Sequence, residues 1–343
     1  MKKYKVAVVG ATGAVGLEMI RMLENRNFPV EDIKFLASKR SIGKKLIYKN
    51  KELAVESLTK DNIKNTDIAL FSAGVKVSKE FAPIFVDNGS FVIDNSSAWR
   101  MDKNIPLVVP EVNPYDLKKE KKLIANPNCS TIQMVVVLKP LHDFAKIKRV
   151  IVSTYQAVSG AGQKAIDELK DQIKIWNTKN RKNLETNTNN KFHYPIAFNL
   201  IPQIDVFTEN GYTKEEMKMT NETKKIMGDS SIEVSATCVR VPVFRSHSES
   251  VWIETEKFIA PKQAKELLSK ANGIMLLDEP EKLKYPMPLF AENTQLTYVG
   301  RIRSDISTKN NALTFWVVSD NLLKGAALNT VQIAETLIKN KLL

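Results

Sequence analysis

Residues 4–16 read YKVAVVGATGAVG, and this segment decides the class of fold. The apolar run Tyr4–Val9 predicts a buried strand, the three glycines after it predict a tight turn, and Leu17–Glu24 predicts a helix. This order is typical of a dinucleotide-binding unit, in which the glycines let the backbone approach a pyrophosphate and the helix N-terminus faces its charge. To this cofactor site we assign Gly10, Thr12, Gly13, Ala14 and Val15. Because the spacing is G-x-x-G-x-x-G and not the commoner G-x-G-x-x-G, a glycine turn in an unliganded βαβ unit is the alternative.

The same rhythm of strand and helix continues through the first third of the chain. Strands are predicted at Ile33–Ala37, Ile68–Phe71 and Phe91–Asp94, and a helix is predicted at Val77–Val86. This alternation predicts a Rossmann-type, doubly wound parallel sheet in an α/β domain covering residues 1–127. Ligands bind at the carboxyl ends of strands in such sheets, so Ala73 is assigned to the cofactor site and Asn95–Arg100 is expected to face a ligand.

The turn after the second strand indicates which cofactor is bound. An NAD site places an acidic residue there for the ribose 2′-hydroxyl, whereas residues 38–41 read SKRS. Hydroxyls and cations suit a 2′-phosphate, so we assign Ser38, Arg40 and Ser41 to NADP. The alternative is a basic turn exposed to solvent without a ligand, and this interpretation has more weight for Lys39 than for Arg40.

The segment Asn126–Thr131 reads NPNCST, and we place the chemistry here. An apolar strand is predicted before it and a helix after it, for which Ser130 or Thr131 would be the cap. A cysteine at a helix start is favoured as thiolate by the helix dipole and the unpaired N–H groups. Cys129 is therefore the proposed nucleophile, and Asn128 is proposed to help hold an oxyanion. A buried cysteine that packs as a small hydrophobe is the alternative.

Beyond Cys129 the pattern changes to longer strands with fewer glycine turns. This predicts a second domain of mixed α+β type over residues 128–320. The strand Val150–Tyr155 leads into the loop Gln156–Gly162, which we expect to approach the nicotinamide. The segment Trp176–Tyr194 is rich in Asn, Lys and Thr, and it is expected to be an exposed excursion without chemistry of its own.

A further strand, Val234–Pro242, places Cys238 and Arg240 on one face. His247 follows it and is the candidate acid/base, because a cysteine nucleophile needs a base that meets it in space. Cys238 lies inside the strand and is interpreted as a core-packing residue, not a catalytic one. The other histidines, His142 and His193, are interpreted as structural.

Composition bounds the class of protein. A length of 343 residues suits two domains, and 43% hydrophobic with 26% charged residues is ordinary globular composition. Two cysteines argue against a disulfide framework and fit a reducing, cytoplasmic location, and no apolar run reaches 18 residues, so no membrane span is expected. The net charge of +13 raises nucleic-acid binding as a rival. The lysines are scattered among acids and lack interleaved aromatics, so no nucleic-acid partner is expected.

Six segments together carry a resemblance to a known family. They are Gly10–Gly16, Ser96–Arg100, Asn126–Ser130, Gln156 with Ser159-Gly160, Asn221–Lys225 and Cys238–Ser248. Combined, they resemble aspartate-semialdehyde dehydrogenase in its bacterial form over nearly the whole chain. The resemblance implies NADPH-dependent reductive dephosphorylation of L-aspartyl-4-phosphate to the semialdehyde, on the route to lysine, threonine and methionine.

The resemblance also implies residue roles. For the chemistry it implies that Cys129 forms an acyl thioester, His247 is the acid/base and Gln156 orients the intermediate. For the substrate it implies Arg240 at the α-carboxylate, Glu222 at the ammonium group, and Arg100 and Lys225 at the phosphate, with Lys218 as a helper. For the cofactor it implies Ser159, Gly160 and Asn321, the last at the start of a helix 321–343 that completes the first domain. It further implies a homodimer; no metal site is assigned.

Three alternatives stay open. An N-acetylglutamyl-phosphate reductase would share the cofactor domain and the cysteine but would not need Glu222 for a free ammonium group. The glyceraldehyde-phosphate enzyme usually shows a Ser-Cys-Thr-Thr stretch and an acidic NAD determinant. The third alternative is a basic nucleic-acid-binding protein. That hypothesis gives the glycine turn, Cys129 and His247 no common function.

Overall fold

The computed structural model describes residues 2–178 and 191–343 of the chain. It divides into two compact units, Met1–Asn128 with Gly325–Leu343, and Cys129–Lys324. This division follows compactness alone, so the functional limits predicted at residues 127 and 320 stay a prediction. Most of the predicted excursion Trp176–Tyr194 lies outside the described residues.

The elements of the described residues are numbered in chain order. The strands are β1 Tyr4–Val9, β2 Val30–Ala37, β3 Lys45–Tyr48, β4 Lys51–Ser57, β5 Ile68–Phe71, β6 Phe91–Asp94, β7 Leu123–Ala125, β8 Ile147–Gln156, β9 Glu233–Arg240, β10 His247–Thr255, β11 Ile274–Leu276, β12 Thr297–Ser304 and β13 Ala312–Ser319. The helices are α1 Ala14–Asn25, α2 Val75–Asp87, α3 Cys129–Ala145, α4 Gln163–Asn177, α5 Lys214–Met227, α6 Pro261–Lys270, α7 Pro288–Ala291 and α8 Leu328–Lys339.

The first unit is built on a sheet with the order β3-β4-β2-β1-β5-β6-β7. Its pairs from β4 to β7 are parallel, and β3 joins β4 as an antiparallel hairpin. The central strands are almost wholly buried, as expected for a sheet covered on both faces. The predicted α/β class with a parallel sheet is therefore confirmed. Since parallel strands end at one edge, the segments after β1, β2, β5 and β6 share that edge.

The glycine turn after β1 is held by close backbone contacts. Gly10 has φ of +84°, and a Cβ there would collide with the carbonyl oxygen of Ser72. Gly16 already lies within α1, where a Cβ would collide with the carbonyl oxygen of Gly10. The predicted start of this helix at Leu17 is therefore wrong. The helix begins at Ala14, because the third glycine packs the helix onto the turn and does not extend the turn.

The second unit contains a sheet with the order β11-β12-β13-β10-β8-β9. Most of its pairs are antiparallel, while β8–β9 and β11–β12 are parallel. Helix α3 packs on β8, β10, β12 and β13, and its residues 130–138 are all buried. A helical segment that is buried on every side is typical of a core position. The predicted mixed α+β character of this part is confirmed.

Two predicted helix limits are corrected. Helix α3 begins at Cys129 itself, and Ser130 and Thr131 lie in its first turn instead of capping it. The implied last helix 321–343 is shorter: Leu323–Ala327 forms a π-helical turn, and α8 follows from Leu328.

Several elements were not predicted from the sequence, among them the β3–β4 hairpin and the strands β10 to β13. In the hairpin, Lys49 and Asn50 both have left-handed φ angles, of 47° and 63°. Two such residues form the tight turn that suits a two-residue hairpin, and Lys-Asn gives a weak sequence signal for it. Across the described ranges, no helix combines the length and apolar character that a membrane crossing requires.

Candidate active site

Three predicted site residues lie side by side on neighbouring strands of the second sheet. Arg240 at the end of β9 pairs with Gln156 at the end of β8. In the antiparallel register of β8 and β10, Ser248 faces Tyr155, which puts His247 level with Gln156. Residues at facing positions point to the same side of a sheet. We call Arg240, Gln156 and His247, all buried, the site row.

Cys129 is the first residue of α3 and is partly exposed. The next residue, Ser130, accepts a hydrogen bond of 2.7 Å from Gln156 Nε2. This bond ties the first turn of α3 to the site row. The proposed nucleophile thus stands where helix N–H groups and the dipole favour a thiolate.

His247 is fully buried, and its Nδ1 accepts a hydrogen bond of 3.0 Å from the Ala157 backbone N–H. Because the Nδ1 lone pair is used, a neutral ring carries its proton on Nε2. Burial, and after it the charge of Arg240, lowers the pKa of His247 well below 6.5. His247 is therefore neutral near pH 7 and presents Nε2–H as a donor. Gly160 lies against it, since a Cβ there would be 3.1 Å from Nε2 and 3.0 Å from Arg240 Nη1.

Arg240 is held in place by the same backbone segment. Its Nη1 donates a hydrogen bond of 2.7 Å to the Ala157 carbonyl oxygen. Burial lowers the pKa of Arg240 below its usual value, and the negative charges of Glu215 and then Cys129 oppose that effect. The guanidinium is thus close enough to interact with a thiolate on Cys129. A buried guanidinium with a planar fork suits a carboxylate ligand.

Helix α5 carries two carboxyl groups and two lysines on one face. Glu215, Lys218, Glu222 and Lys225 are spaced by three or four residues and so share this face. Its start is fixed by a capping box between Thr213 and Glu216. Glu222 is almost fully buried, and Lys225 is half-buried.

Lys218 has its charge balanced by acids of the second unit. Its Nζ lies 2.9 Å from Asp205 Oδ2 and 3.1 Å from Glu215 Oε2. Glu215 Oε1 in turn accepts a bond of 3.3 Å from Gln156 Nε2. These contacts connect Lys218 to the orientation of Gln156. Glu215 was not predicted from the sequence, although it lies two helical turns before Glu222 on the same face of α5.

An asparagine network in the first unit shapes the segment before Cys129. Asn126 Nδ2 donates to Asn95 Oδ1 at 2.9 Å, and Asn126 Oδ1 accepts from Asn329 Nδ2 at 2.7 Å. Asn329 also donates to the Val108 carbonyl oxygen. Asn128, which follows Pro127, is buried.

Arg100 lies in the segment after β6, at the ligand edge of the first sheet. Its Nη2 donates a bond of 2.7 Å to the Asn95 carbonyl oxygen, and the side chain is mostly buried. Near it in the chain, Asp94 accepts from Ser96 Oγ at 2.5 Å, and Trp99 Nε1 donates to Ser78 Oγ. The Arg100 guanidinium is thus held by the loop that follows β6.

The predicted cofactor residues of the first unit lie along the same edge. Thr12 and Ser41 share a hydroxyl contact of 3.2 Å, which brings the glycine turn next to the 3₁₀ turn Lys39–Ser41. Ser38 and Arg40 are exposed. Ala73 follows β5 at the carbonyl that Gly10 approaches. An exposed cation beside two hydroxyls fits a phosphate group, and the close backbone approach at Gly10 fits a pyrophosphate.

Three residues predicted near the nicotinamide meet in the second unit. Asn321 accepts from the Ser246 backbone N–H at 2.9 Å and donates to Ser159 Oγ at 3.0 Å. Gly160 follows Ser159 in a short 3₁₀ turn. Ser246, which precedes His247, has φ of +72°. Asn321 therefore links the backbone just before His247 to the Ser159 side chain just before Gly160.

The residues interpreted as structural have ordinary environments. Burial raises the pKa of Cys238 well above its usual range, so its thiol is unreactive. His142 Nδ1 accepts from the Ile147 backbone N–H at 3.1 Å, and burial lowers its pKa. His193 lies on the exposed stretch after the undescribed residues.

Comparisons with known proteins agree over both units. A family model described as "Semialdehyde dehydrogenase, NAD binding domain" matches residues 5–120, and one described as "Semialdehyde dehydrogenase, dimerisation domain" matches residues 138–324. Aspartate-semialdehyde dehydrogenase of Aquifex aeolicus is 58% identical over 99% of each chain. The solved structure of aspartate semialdehyde dehydrogenase II from Vibrio cholerae complexed with ASA is similar at a TM-score of 0.94 and 47% identity, covering 99% of each chain. That of the Candida albicans enzyme with NADP is similar at 0.77 and 26% identity, covering 100% of each chain.

The environment of His247 makes a prediction that needs no substrate. In ¹⁵N-histidine NMR spectra, His247 is expected to stay in the Nε2–H form from about pH 7.5 to about pH 5.5, because burial opposes its protonation. The signal is identified by its loss in His247→Gln. The same histidine in the urea-unfolded chain is the control and should titrate near 6.5. A folded-state midpoint at that value would contradict the interpretation.

Proposed function

The chain belongs to the aspartate-semialdehyde dehydrogenase family, and from this premise we propose that it reduces L-aspartyl-4-phosphate to L-aspartate 4-semialdehyde with release of phosphate. NADPH is the proposed reductant. In the cell the product would feed the synthesis of lysine, threonine and methionine. One observation carries the mechanism: the site row of Arg240, Gln156 and His247 is joined to the start of α3, where Cys129 stands.

The proposed reaction begins with the Cys129 thiolate. Its sulfur attacks the acyl carbon, a C–S bond forms, and the bond from that carbon to the phosphate oxygen breaks. Gln156, held by Ser130 and Glu215, would orient the resulting thioester. Helix N–H groups and Asn128 would stabilise the oxyanion that forms on the way.

His247 would act first as a donor. Its Nε2–H can bond to the carbonyl oxygen as negative charge develops there, since Nδ1 is occupied by the Ala157 N–H. NADPH, when bound, supplies the hydride that reduces the thioester. Collapse of the tetrahedral species would then release the semialdehyde and regenerate the thiolate of Cys129.

The substrate carries a carboxylate, an ammonium group and a phosphoryl group, and the proposal gives each a partner. Arg240 would take the α-carboxylate through its fork, and the buried Glu222 would take the ammonium group. Arg100 and Lys225 would bind phosphate. A buried acid at position 222 favours this substrate over an N-acetylated one, which has no ammonium charge to offer. We keep Lys218 in a supporting role, because Asp205 and Glu215 already balance its charge.

For the cofactor we propose NADP, bound by the first unit. Gly10, Thr12, Gly13, Ala14 and Val15 would receive the pyrophosphate at the start of α1. Ser38, Arg40 and Ser41 would receive the 2′-phosphate, while Ala73, Ser159, Gly160 and Asn321 would lie towards the nicotinamide. The residues 1–127 with 321–343 would thus serve the cofactor and 128–320 the catalysis.

We also propose that the protein works as a cytoplasmic homodimer. The second part matches a model described as a dimerisation domain, and the family's biosynthetic role supports that location. The partners would be the small-molecule substrate and inorganic phosphate, without nucleic acid or membrane.

The first test replaces the nucleophile. Cys129→Ser is expected to fold normally but to lose phosphate-dependent NADP reduction by aspartate semialdehyde by at least about 10³-fold, because an alkoxide is far harder to form than a thiolate. Turnover near that of the wild type would refute the mechanism. Iodoacetamide with mass spectrometry supplies the control: Cys129 should be alkylated well before the buried Cys238.

The second test concerns the 2′-phosphate. Arg40→Ala is expected to raise the KM for NADP about 10- to 100-fold while changing that for NAD little, because a charge-assisted bond is worth about 1.5 to 3 kcal/mol. Lys39→Ala, at an equally exposed neighbour, is the matched control and should have the smaller effect. Equal effects of Arg40→Ala on both cofactors would remove Arg40 from this role.

The third test separates the two cationic pockets. Arg240→Lys keeps the charge but loses the fork, so kcat/KM for the semialdehyde is expected to fall about 10²-fold. Arg100→Ala and Lys225→Ala should instead raise the KM for phosphate. Steady-state kinetics in both substrates measures the three variants, with folding checked by thermal melting.

Matched controls for this series exist in the second unit. Arg149→Lys changes an exposed arginine of β8, and Lys224→Ala changes the neighbour of Lys225 on α5; both should be nearly silent. If Arg240→Lys perturbed phosphate selectively and the other two perturbed the semialdehyde, the pocket assignment would be reversed.

A further inference from the structure

Two positions along the same strands, and on the same face of the sheet as the site row, lies another set of buried residues. Cys238 of β9 pairs with Thr154 of β8, Thr154 faces Glu249 of β10, and Glu249 faces Val317 of β13. Cys238, Thr154 and Glu249 each lie two positions from a member of the site row and so share its face. We call Cys238, Thr154, Glu249 and Val317 the second row.

Glu249 is a carboxyl group in an apolar place. Its side chain is 0% exposed, and neither carboxyl oxygen makes a hydrogen bond of regular geometry within residues 2–178 and 191–343. Burial raises the pKa of Glu249 well above 4.5, and only the nearby Gln133 amide opposes this. An ionised carboxyl without a cation is costly at such a position, so burial favours the protonated form.

Gln133 connects Glu249 to the nucleophile. It lies one helical turn after Cys129 on α3, so the two side chains share one side of the helix. Its side chain is also 0% exposed. Helix α3, which begins with Cys129, packs on strand β10, which begins with His247. Within the described residues the Gln133 amide, like the Glu249 carboxyl, makes no hydrogen bond of regular geometry. A protonated carboxyl can both donate to and accept from a primary amide, whereas a carboxylate can only accept.

We propose that Glu249, carrying its proton, and Gln133 form a buried pair that positions Cys129 at the start of α3 against His247 at the start of β10. Both are positioning residues. The inference rests on the proposed function only in taking Cys129 and His247 as the reacting pair.

Within the described residues, the groups that face Glu249 from the neighbouring elements supply no cation. From β8 and β13 it faces Thr154 and Val317, which do not ionise in this range. From β9 the nearest titratable group is the Cys238 thiol, whose pKa burial raises, so it carries no charge near neutral pH. On β10, His247 is neutral, and on α3 Gln133 carries no charge. Glu215 and Glu216 of α5, which also act on Cys238, would add only negative charge.

The pH dependence of stability tests the proton directly. A raised folded-state pKa means that the native state holds a proton that the unfolded state releases above about 4.5, so wild-type stability falls as pH rises. Glu249→Gln mimics the protonated form and lacks this loss. Its melting temperature is expected to exceed that of the wild type at pH 8, and the excess should vanish as pH falls towards 4.5. A difference that does not change with pH would overturn the proposal.

Infrared spectroscopy gives a second reading without substrate. The wild type at neutral pH should show a carboxylic-acid C=O band that Glu249→Gln lacks, against the background of ionised carboxylates. If Glu249→Gln leaves the spectrum unchanged there, Glu249 is ionised and the pair cannot act as described.

The positioning role is tested through Cys129. Glu249→Met keeps the volume but cannot bond to Gln133, so alkylation of Cys129 by iodoacetamide is expected to slow at least about fivefold, and kcat with it. Glu249→Gln should restore both to within about twofold. Gln133→Met repeats the loss from the other partner and decides the question if Glu249→Met does not fold. Unchanged alkylation in both methionine variants would refute positioning. Because alkylation and infrared need no substrate, they decide this inference even if the proposed reaction is not observed.

Discussion

The register of β8 against its two neighbours is the constraint on which the rest of the second unit depends. Gln156 stands beside Arg240 in the parallel pair and level with His247 in the antiparallel one. Side chains alternate between the faces of a strand, so a slip of one residue in either pair would turn a site residue to the opposite face. The long pairings of β8 with β9 and β10 hold this register over nearly their full lengths.

Burial then sets the electrostatics of the site. Arg240 and His247 lie where water does not reach, so the arginine keeps its charge against a desolvation penalty while the histidine stays neutral. The compensating negative charge comes from α5, whose Glu215 also bonds to Gln156. The contacts of Asp205, Lys218 and Glu215 continue this network to the surface. One helix therefore orients the amide of the site and balances its guanidinium.

The sequence predicted the central strands of the first sheet closely, because β5 and β6 are continuous apolar runs between turn residues. It misjudged the start of α1, since Gly16 reads as a turn residue while its lack of a side chain serves helix packing. Residue types indicated Cys129, Arg240 and His247, but no spacing along the chain places Arg240 beside Gln156. That neighbourhood arises from strand pairing across more than eighty residues. Glu215 and Glu249 were missed because a lone acid gives no pattern until its burial is known.

Ser246 has a consequence for how this site can vary. Its φ of +72° turns the chain so that His247 enters β10 with its ring inward, and Asn321 fixes that peptide. A left-handed backbone is strained for side chains branched at Cβ and is tolerated by glycine, asparagine and aspartate. Chemical diversity next to the histidine is therefore limited by backbone geometry, whatever the reaction demands. A redesign of this enzyme must therefore keep the backbone conformation at position 246 and change specificity at other positions.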